Sequence, residues 1–527
     1  MSISRRSFLK GSALLSVMPM SLTLSGCTFK TNPFSHGIAS GDPLHDAVII
    51  WTRVTIPEEI TQVVDINSLV LSVRWQVSTS SSFATIETEG KVETSIARDF
   101  TVKVDVTGLN ADSTYYYRFI IEELDEPIVS PVGRTKTLPQ YDVSEVKLAM
   151  TSCSHFSYGY FNVYARIAEM DDLDAVLHLG DYLYEYGNED IYRNPLLWKR
   201  LVEPKHEMVS LNDYRLRHAT YKTDEDLQTL HQTHPMICIW DDHEFTNDTW
   251  RGGAQNHNDN EGDWQTRANA AIQAYYEWMP IREPQSGNRE KAYRKFEFGQ
   301  LLHLNMLDTR YVGRDEQVDV KDDARLDPMR TLLGFEQEQW LEDNLLDAKN
   351  NGVKWNLIGQ QVQIMQIQMF GKPINADAWD GYPAARDRLL NFVEQRDIKN
   401  VVFLTGDVHS SWAADIAKNP YDWREYNRFT NDGALAVEIV TPSVTSPSIP
   451  VPGLQQIVGD VGNILKPENP HIRYVDLKNR GFVTLNIKQD KLTSQWHHVP
   501  IVGFKNNQSF VDRTLYVNSG EAKLHKL

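Results

Sequence analysis

The sequence predicts a two-domain chain, an N-terminal β-sandwich followed by a larger layered α/β domain, and three observations carry that prediction. At 527 residues the chain exceeds what one ordinary hydrophobic core supports. Residues 34–139 hold β-branched and aromatic runs separated by turn residues, the pattern of short antiparallel strands. Beyond them, short unbroken apolar runs alternate with helical stretches such as Tyr160 to Met170, the pattern of buried parallel strands covered by helices.

Taken in order, the N-terminus reads as a targeting segment. Ser4-Arg5-Arg6-Ser7-Phe8-Leu9-Lys10 resembles a twin-arginine export signal, and Leu24-Ser-Gly-Cys27 resembles a lipobox with Cys27 as the lipidated residue. The apolar stretch between them is too short and too interrupted for a stable membrane span. Residues 1–27 are therefore assigned to the signal and 28–33 to a tether. The expected protein is carried out by the twin-arginine machinery and attached by its lipid anchor to a bacterial membrane, facing the periplasm or the exterior. The formal charge is −18; cleavage before Cys27 removes Arg5, Arg6 and Lys10 and no acid, which takes it to −21. Such acidity excludes sequence-specific nucleic acid as a partner, which needs a basic footprint, and favours cations.

The sandwich, residues 34–139, rests on Ala47 to Arg53, Leu69 to Val77, Phe100 to Val106 and Tyr115 to Ile121. Leu109-Asn-Ala-Asp-Ser-Thr-Tyr115 resembles the corner before a late strand in immunoglobulin and fibronectin type III sandwiches. No site chemistry falls in this region, so it reads as a structural or spacing module. The catalytic domain is assigned to residues 145–527, with further strands at Leu301 to Asp308 and Trp355 to Gln361 and a helix from Phe335 to Lys349. The long polar insertion after Asp242, from Thr246 to about Asp263, has the length of a functional loop.

Four apolar runs in this domain end on metal-type ligands. Lys147-Leu-Ala-Met-Thr-Ser ends on Cys153, Ala175-Val-Leu-His-Leu-Gly on Asp181 with Tyr184 behind it, Met236-Ile-Cys-Ile-Trp-Asp on Asp242-His243-Glu244, and Val401-Val-Phe-Leu-Thr-Gly on Asp407 with His409 behind it. Strand ends of α/β sheets are where ligands bind, so four such ends converging would build one cluster. Carboxylates shared between neighbouring metal ions clamp the oxygens of a phosphoryl transfer and make hydroxide available near neutral pH. Tyr184 and Cys153 are anionic, polarizable donors that suit a trivalent iron; Asp242 and Asp407 are hard donors that suit calcium or another divalent ion. Cys153 and Cys238 are the only pair left for a disulfide once Cys27 is lipidated, although Cys238 sits in an apolar run and reads as core.

These motifs, with Phe34-Ser-His-Gly-Ile-Ala-Ser-Gly-Asp-Pro43, Leu307-Asp-Thr-Arg310, Leu333-Gly-Phe-Glu-Gln337 and Trp379-Asp-Gly-Tyr382, together resemble the alkaline phosphatase D (PhoD) family of calcineurin-like metallophosphoesterases. The resemblance implies a four-layer αββα catalytic domain and an exported alkaline phosphatase and phosphodiesterase with iron and calcium. Fe³⁺ would be held by Cys153, Asp181, Tyr184 and His409, and Ca²⁺ by Asp181, Asp242 and Asp407, with Asn247 and Gln361 as further candidates. Phosphate mono- and diesters would be the substrates. His243 is the candidate to protonate the leaving oxygen. Arg310 is a candidate phosphate grip, or else an ion-pair partner of Asp308 or another acid. His155, Trp379 and Asp380 are rim candidates. Asn479-Arg480-Gly481-Phe482 departs from the His-Gly-Tyr expected there. The competing reading is a surface lipoprotein with a binding role and a structural metal cluster, which would close its coordination sphere where a catalytic one stays open.

Overall fold

The computed structural model describes residues 32–62, 64–122, 126–189, 193–448 and 465–527. The signal, Cys27 and most of the tether lie outside the described residues. Among the described residues no helix is long and apolar enough to cross a membrane.

The N-terminal β region and the α/β region share a sheet. This ten-stranded sheet runs from the C-terminal strands through Arg480–Lys488, Glu145–Thr151, Ala175–His178 and Pro235–Cys238 to Ile38–Gly41, Ala47–Arg53 and Thr101–Thr107. The join is Ile38–Gly41, parallel to Pro235–Cys238 on one side and antiparallel to Ala47–Arg53 on the other. A second sheet built around Val70–Ser78 and Thr114–Ile121 faces the N-terminal end of the first. Alternate residues of both close one core, with Ile38, Val48, Ile50 and Val102 against Leu71, Val73, Tyr117 and Phe119. At the corner between Leu109 and Tyr115, the Tyr115 hydroxyl accepts the Asn110 N–H at 2.9 Å.

The α/β region adds a seven-stranded sheet whose centre, Leu302–Met306, Trp355–Gln360, Val401–Thr405 and Ala434–Val440, is parallel. Its strands are buried on both faces, so Val401–Thr405 reads as a nearly unbroken apolar run, while Leu302–Met306 and Trp355–Gln360 bury His303, Asn305 and Asn356 within theirs. Val402 and Leu404 join Leu148, Met150, Leu177 and Ile237 of the large sheet in one core. Phe403, between them, points the other way to Leu341, Leu345, Leu389 and Leu390 of the helices Phe335–Asn350 and Pro383–Gln395. Helices Asn162–Ala168 and Glu225–Thr233 add Tyr164, Ile167, Leu227 and Leu230 to the first core.

The segment Arg480–Lys488 is a strand paired antiparallel with Glu145–Thr151. Arg480 is buried and donates to the Lys478 carbonyl at 2.7 Å, while the Gly481 N–H donates to the Ser443 carbonyl at 3.0 Å. The departure from His-Gly-Tyr thus lies in a strand fastened to the loop that carries Ser446. Cys153 and Cys238 are both buried free thiols.

Candidate metal centre

Three adjacent parallel strands bring their C-terminal ends level, because Thr151 pairs with His178 and His178 with Cys238. Cys153 follows the first, Asp181 the second and Asp242 the third. The fourth ligand-bearing end, after Val401–Thr405, comes from the other sheet, so the centre sits where the two sheets meet. Cys153, Asp181, Asp407 and His409 all have positive φ, at 62°, 53°, 63° and 53°. Side chains seldom adopt that conformation, and such strain collects at functional sites. Here it bends each chain sharply off its strand.

The turns are locked by Glu244, whose carboxylate accepts the N–H groups of Asp181 at 3.0 Å, Tyr182 at 2.6 Å and Asp241 at 2.8 Å. Gly180 is required between them: at φ +102° a Cβ there would stand 2.4 Å from the Asp241 Cβ. Helix Leu211–Tyr221, opened by a Ser210–Asp213 capping box, holds Tyr184 from behind. The Tyr221 hydroxyl accepts its N–H at 3.2 Å and the Arg217 guanidinium donates to its carbonyl.

Donor atoms of Cys153, Asp181 and His409 lie within 4.8 Å of one another, as do those of Asp181, Asp242 and His243, and of Asp241, Asp242 and Asp407. Asp181 belongs to two of these groups. The Tyr184 hydroxyl joins them, 2.9 Å from Asp181 Oδ2 and 3.0 Å from His409 Nε2, and accepts from Ser446 Oγ at 2.6 Å. His409 donates from Nδ1 to the Pro447 carbonyl at 2.9 Å, which leaves Nε2 as the lone-pair nitrogen turned to the cluster.

The residues present fit cations. Asp181 Oδ1 and Asp241 Oδ2 are buried with no hydrogen-bond partner, and unpaired buried carboxylate oxygens are costly without a cation. Asp181, Asp241, Asp242, Asp248, Asp377 and Asp407 crowd around the guanidinium groups of Arg310 and Arg314. Burial, then this mutual repulsion, pushes the Asp407 carboxyl up to about 8 and Asp248 up to about 7, despite Arg310. The soft thiol and phenol stand on one side of Asp181 and the carboxylates on the other, a donor set suited to two unlike ions.

His243 is held by Glu185, a fully buried residue whose Oε2 lies 2.6 Å from its Nδ1. Burial disfavours charge on the imidazole, but Glu185, Asp242 and Asp181 outweigh it and raise its pKa well above the ordinary value. The other Glu185 oxygen accepts from the Asn247 N–H at 2.8 Å and from Thr246 and Asn256 at 3.1 Å. His243, Tyr184 and His409 form the floor of a cavity of about 200 Å³, walled by His155 and Tyr186 and rimmed by Asn247.

Several expected residues stand elsewhere. Arg310 is fully buried, and its guanidinium is spent on Asp241, on Asp377 at 2.5 Å and on Asp407. It braces carboxylates and does not line the cavity, so the phosphate-grip expectation is replaced by the ion-pair one. The partner is not Asp308, which instead accepts the N–H groups of Arg310, Tyr311 and Val312. The Gln361 side chain is committed to Thr309 and the Leu307 carbonyl. Trp379 is core and Asp380 caps the Ile367 N–H, so neither forms the rim. His155 does line the cavity. Sequence reading gave no role to Asp241, Glu185 or Glu244, although each adjoins a chosen ligand or lies two residues from one. Asp377 ends no apolar run and gives no such signal.

Two family models match: PhoD-like phosphatase over residues 148–496, and the PhoD-like phosphatase N-terminal domain over residues 21–139. The chain is 35% identical to alkaline phosphatase D of Bacillus subtilis (strain 168), an alignment covering 95% of this chain and 85% of that one. The solved structure of PhoD superposes with a TM-score of 0.83 at 32% identity, covering 95% of this chain and 93% of that one. Its α/β region with an N-terminal β region, its strand-end ligand cluster and these matches agree: the chain belongs to the PhoD-like phosphatase family and is a phosphoric ester hydrolase.

Proposed function

We propose that this chain is an exported phosphatase and phosphodiesterase, acting on phosphate mono- and diesters at a centre of Fe³⁺ and Ca²⁺. One observation carries the metal reading: donors from four strand ends, with more carboxylates than guanidinium groups to balance them, meet at Asp181. Cys153, Asp181, Tyr184 and His409 would hold the iron, and Asp181, Asp242 and Asp407 the calcium or another divalent ion. Family membership supports the four-layer αββα description, as does the placing of helices outside both sheets; the Tyr115 corner supports an immunoglobulin-like sandwich. Export and lipid attachment rest on Arg5-Arg6 and Cys27.

When bound, the ions supply positive charge to the phosphoryl oxygens and a water acidic enough to ionise near neutral pH. The chain's own groups do the rest. Glu185 accepts the Nδ1–H of His243 and, with Asp242 and Asp181, favours the doubly protonated ring, so the Nε2–H faces the cavity and its proton can go to the departing ester oxygen, leaving the neutral Nδ1–H imidazole. The Pro447 carbonyl likewise accepts from His409 Nδ1, which turns the Nε2 lone pair to the cluster. Arg310 keeps Asp241, Asp377 and Asp407 from repelling one another apart.

The test is elemental analysis of the purified full chain beside turnover of 4-nitrophenyl phosphate and bis(4-nitrophenyl) phosphate, before and after calcium chelation. Iron retained, calcium lost and activity reversibly lost is the expected result. No hydrolysis of either ester by metal-loaded protein refutes the reading and leaves the surface-binding alternative.

A further inference from the structure

The cavity beside the centre has an unusual wall for a phosphate site. His155 and Tyr186 lie with ring planes 20° apart at 6.4 Å, and Tyr184 and Tyr186 with planes 27° apart at 6.4 Å. His155 also leans on Tyr184 at 4.7 Å, and the His243 ring meets Tyr186 nearly edge-on at 5.3 Å. Tyr186 is only half-buried, whereas Tyr184 and His155 are buried. Among the described residues no lysine or arginine lines the space, and the charge on His243 is matched by Glu185, so nothing among them is left to balance a second phosphate or an anionic substituent. At about 200 Å³ it is smaller than the ~300–1,000 Å³ of common ligand pockets. It therefore encloses the group next to the reacting phosphorus and little more.

Resting on the phosphatase reading above, we infer that the Tyr186–His155 wall is a stacking subsite for a flat, uncharged ester substituent, making aryl phosphates the favoured substrate class. A planar group bonded to the ester oxygen leaves the metal floor beside His243 and meets the Tyr186 ring, where offset stacking stabilises it. A flexible alkyl group such as glycerol gains no stacking and exposes hydroxyls to an aromatic face. The wall thus discriminates by shape and polarity rather than by charge.

Leaving-group reactivity also favours aryl esters, so the test uses non-hydrolysable pairs first. With metal-loaded full-length protein, phenylphosphonate is expected to inhibit more tightly than methylphosphonate by roughly tenfold, the range of an aromatic pair. Tyr186→Leu should remove most of that ratio and Tyr186→Phe should retain it. In turnover, the ratio of kcat/KM for 4-nitrophenyl phosphate over glycerol 3-phosphate should fall by about the same factor in Tyr186→Leu. A parallel pair, adenosine 5′-monophosphate against ribose 5-phosphate, separates a ring on the ester oxygen from a base one sugar away; Tyr186 should matter for the first only. Equal inhibition by the two phosphonates in the wild type, or a ratio unchanged in a folded Tyr186→Leu protein, overturns the inference. If Tyr186→Leu does not fold, the wild-type phosphonate ratio decides alone. Failure of every ester to turn over would strike the phosphatase reading instead.

Discussion

Replacing Arg310 with methionine separates two roles that the sequence alone left open. Its side chain has no solvent exposure and bridges Asp241, Asp377 and Asp407, of which Asp241 is fully buried and the other two are 19% exposed. Removing one partner of a buried ion pair costs about 3–5 kcal/mol, and the partial exposure of two partners argues for the lower end, about 3 kcal/mol. With an unfolding entropy of about 2.1 cal/mol/K per residue, a chain of 527 residues loses roughly 3 °C of melting midpoint for that amount. The freed carboxylates attract cations more strongly, so calcium at 100 times its Kd should return about 2.7 kcal/mol. The assay is differential scanning calorimetry of Arg310→Met and wild type, with chelator and with calcium, alongside steady-state kinetics. Expected are a lower midpoint and a larger calcium-induced rise in the variant. A midpoint within about 1 °C of wild type, with KM for a phosphate ester raised severalfold, would refute the bracing role and restore the phosphate grip.

Gly180→Ala forces a Cβ to within 2.4 Å of the Asp241 Cβ at φ +102°; a loss of about 2–4 kcal/mol and of bound metal is expected, and a normal midpoint with full metal content would show that the turn is not held as described. Glu185→Gln leaves His243 without its carboxylate, so kcat should drop by about 10–100-fold with little change in KM; a selective rise in KM would place Glu185 in substrate binding. The buried His36, His178 and His471 have pKa values lowered by burial to about 3, and His234 to about 4. The unfolded chain takes these protons near pH 6.5, so their contribution is full above that pH and is lost as pH falls toward the folded values. Each costs up to about 1.4 kcal/mol per pH unit in that window. Asp407 and Asp248, with carboxyls raised to about 8 and about 7, act in the opposite sense over this window, so the test is a difference: from pH 7 to pH 5 the melting midpoint should fall less, or rise more, in His471→Gln than in wild type, and equal pH slopes would contradict it.

Strand ends were the legible part of the site because a buried parallel strand leaves a double signature, an unbroken apolar run and then an abrupt polar residue. Thus Ala175–His178 and Val401–Thr405 announced Asp181 and Asp407. The joining of the N-terminal β region to the catalytic sheet was not legible. Ile38–Gly41 reads Ile-Ala-Ser-Gly, with no β-branched run, and is a strand only because Pro235–Cys238 and Ala47–Arg53 flank it. Tertiary pairing there overrides weak propensity. The C-terminal strands were likewise unassigned, although Lys491–Val499 alternates in burial as a half-buried strand does. Arg310 was misplaced for a different reason: sequence shows an arginine near an aspartate but not that Asp241, Asp377 and Asp407 converge on it from three separate segments. Asp377 gave no local sign at all.

The positions where local rules fail are also the ones that make the site. Cys153, Asp181, Asp407 and His409 take a backbone conformation that favours glycine, and Asp181 Oδ1 and Asp241 Oδ2 are buried without a hydrogen bond. Each feature opposes stability when taken singly. Their cost is carried by ordinary packing around them: Glu244 accepting three N–H groups, Tyr221 and Arg217 behind Tyr184, and two sheets sharing one core. Arg310 relieves the repulsion only in part, since Asp242 and Asp407 keep raised pKa values beside it. A cation at the same carboxylates opposes burial and repulsion together, so occupancy and stability of the strand ends should rise and fall as one quantity. Substitutions that loosen the supports without touching a ligand, such as Gly180→Ala, should then behave as metal-affinity mutants.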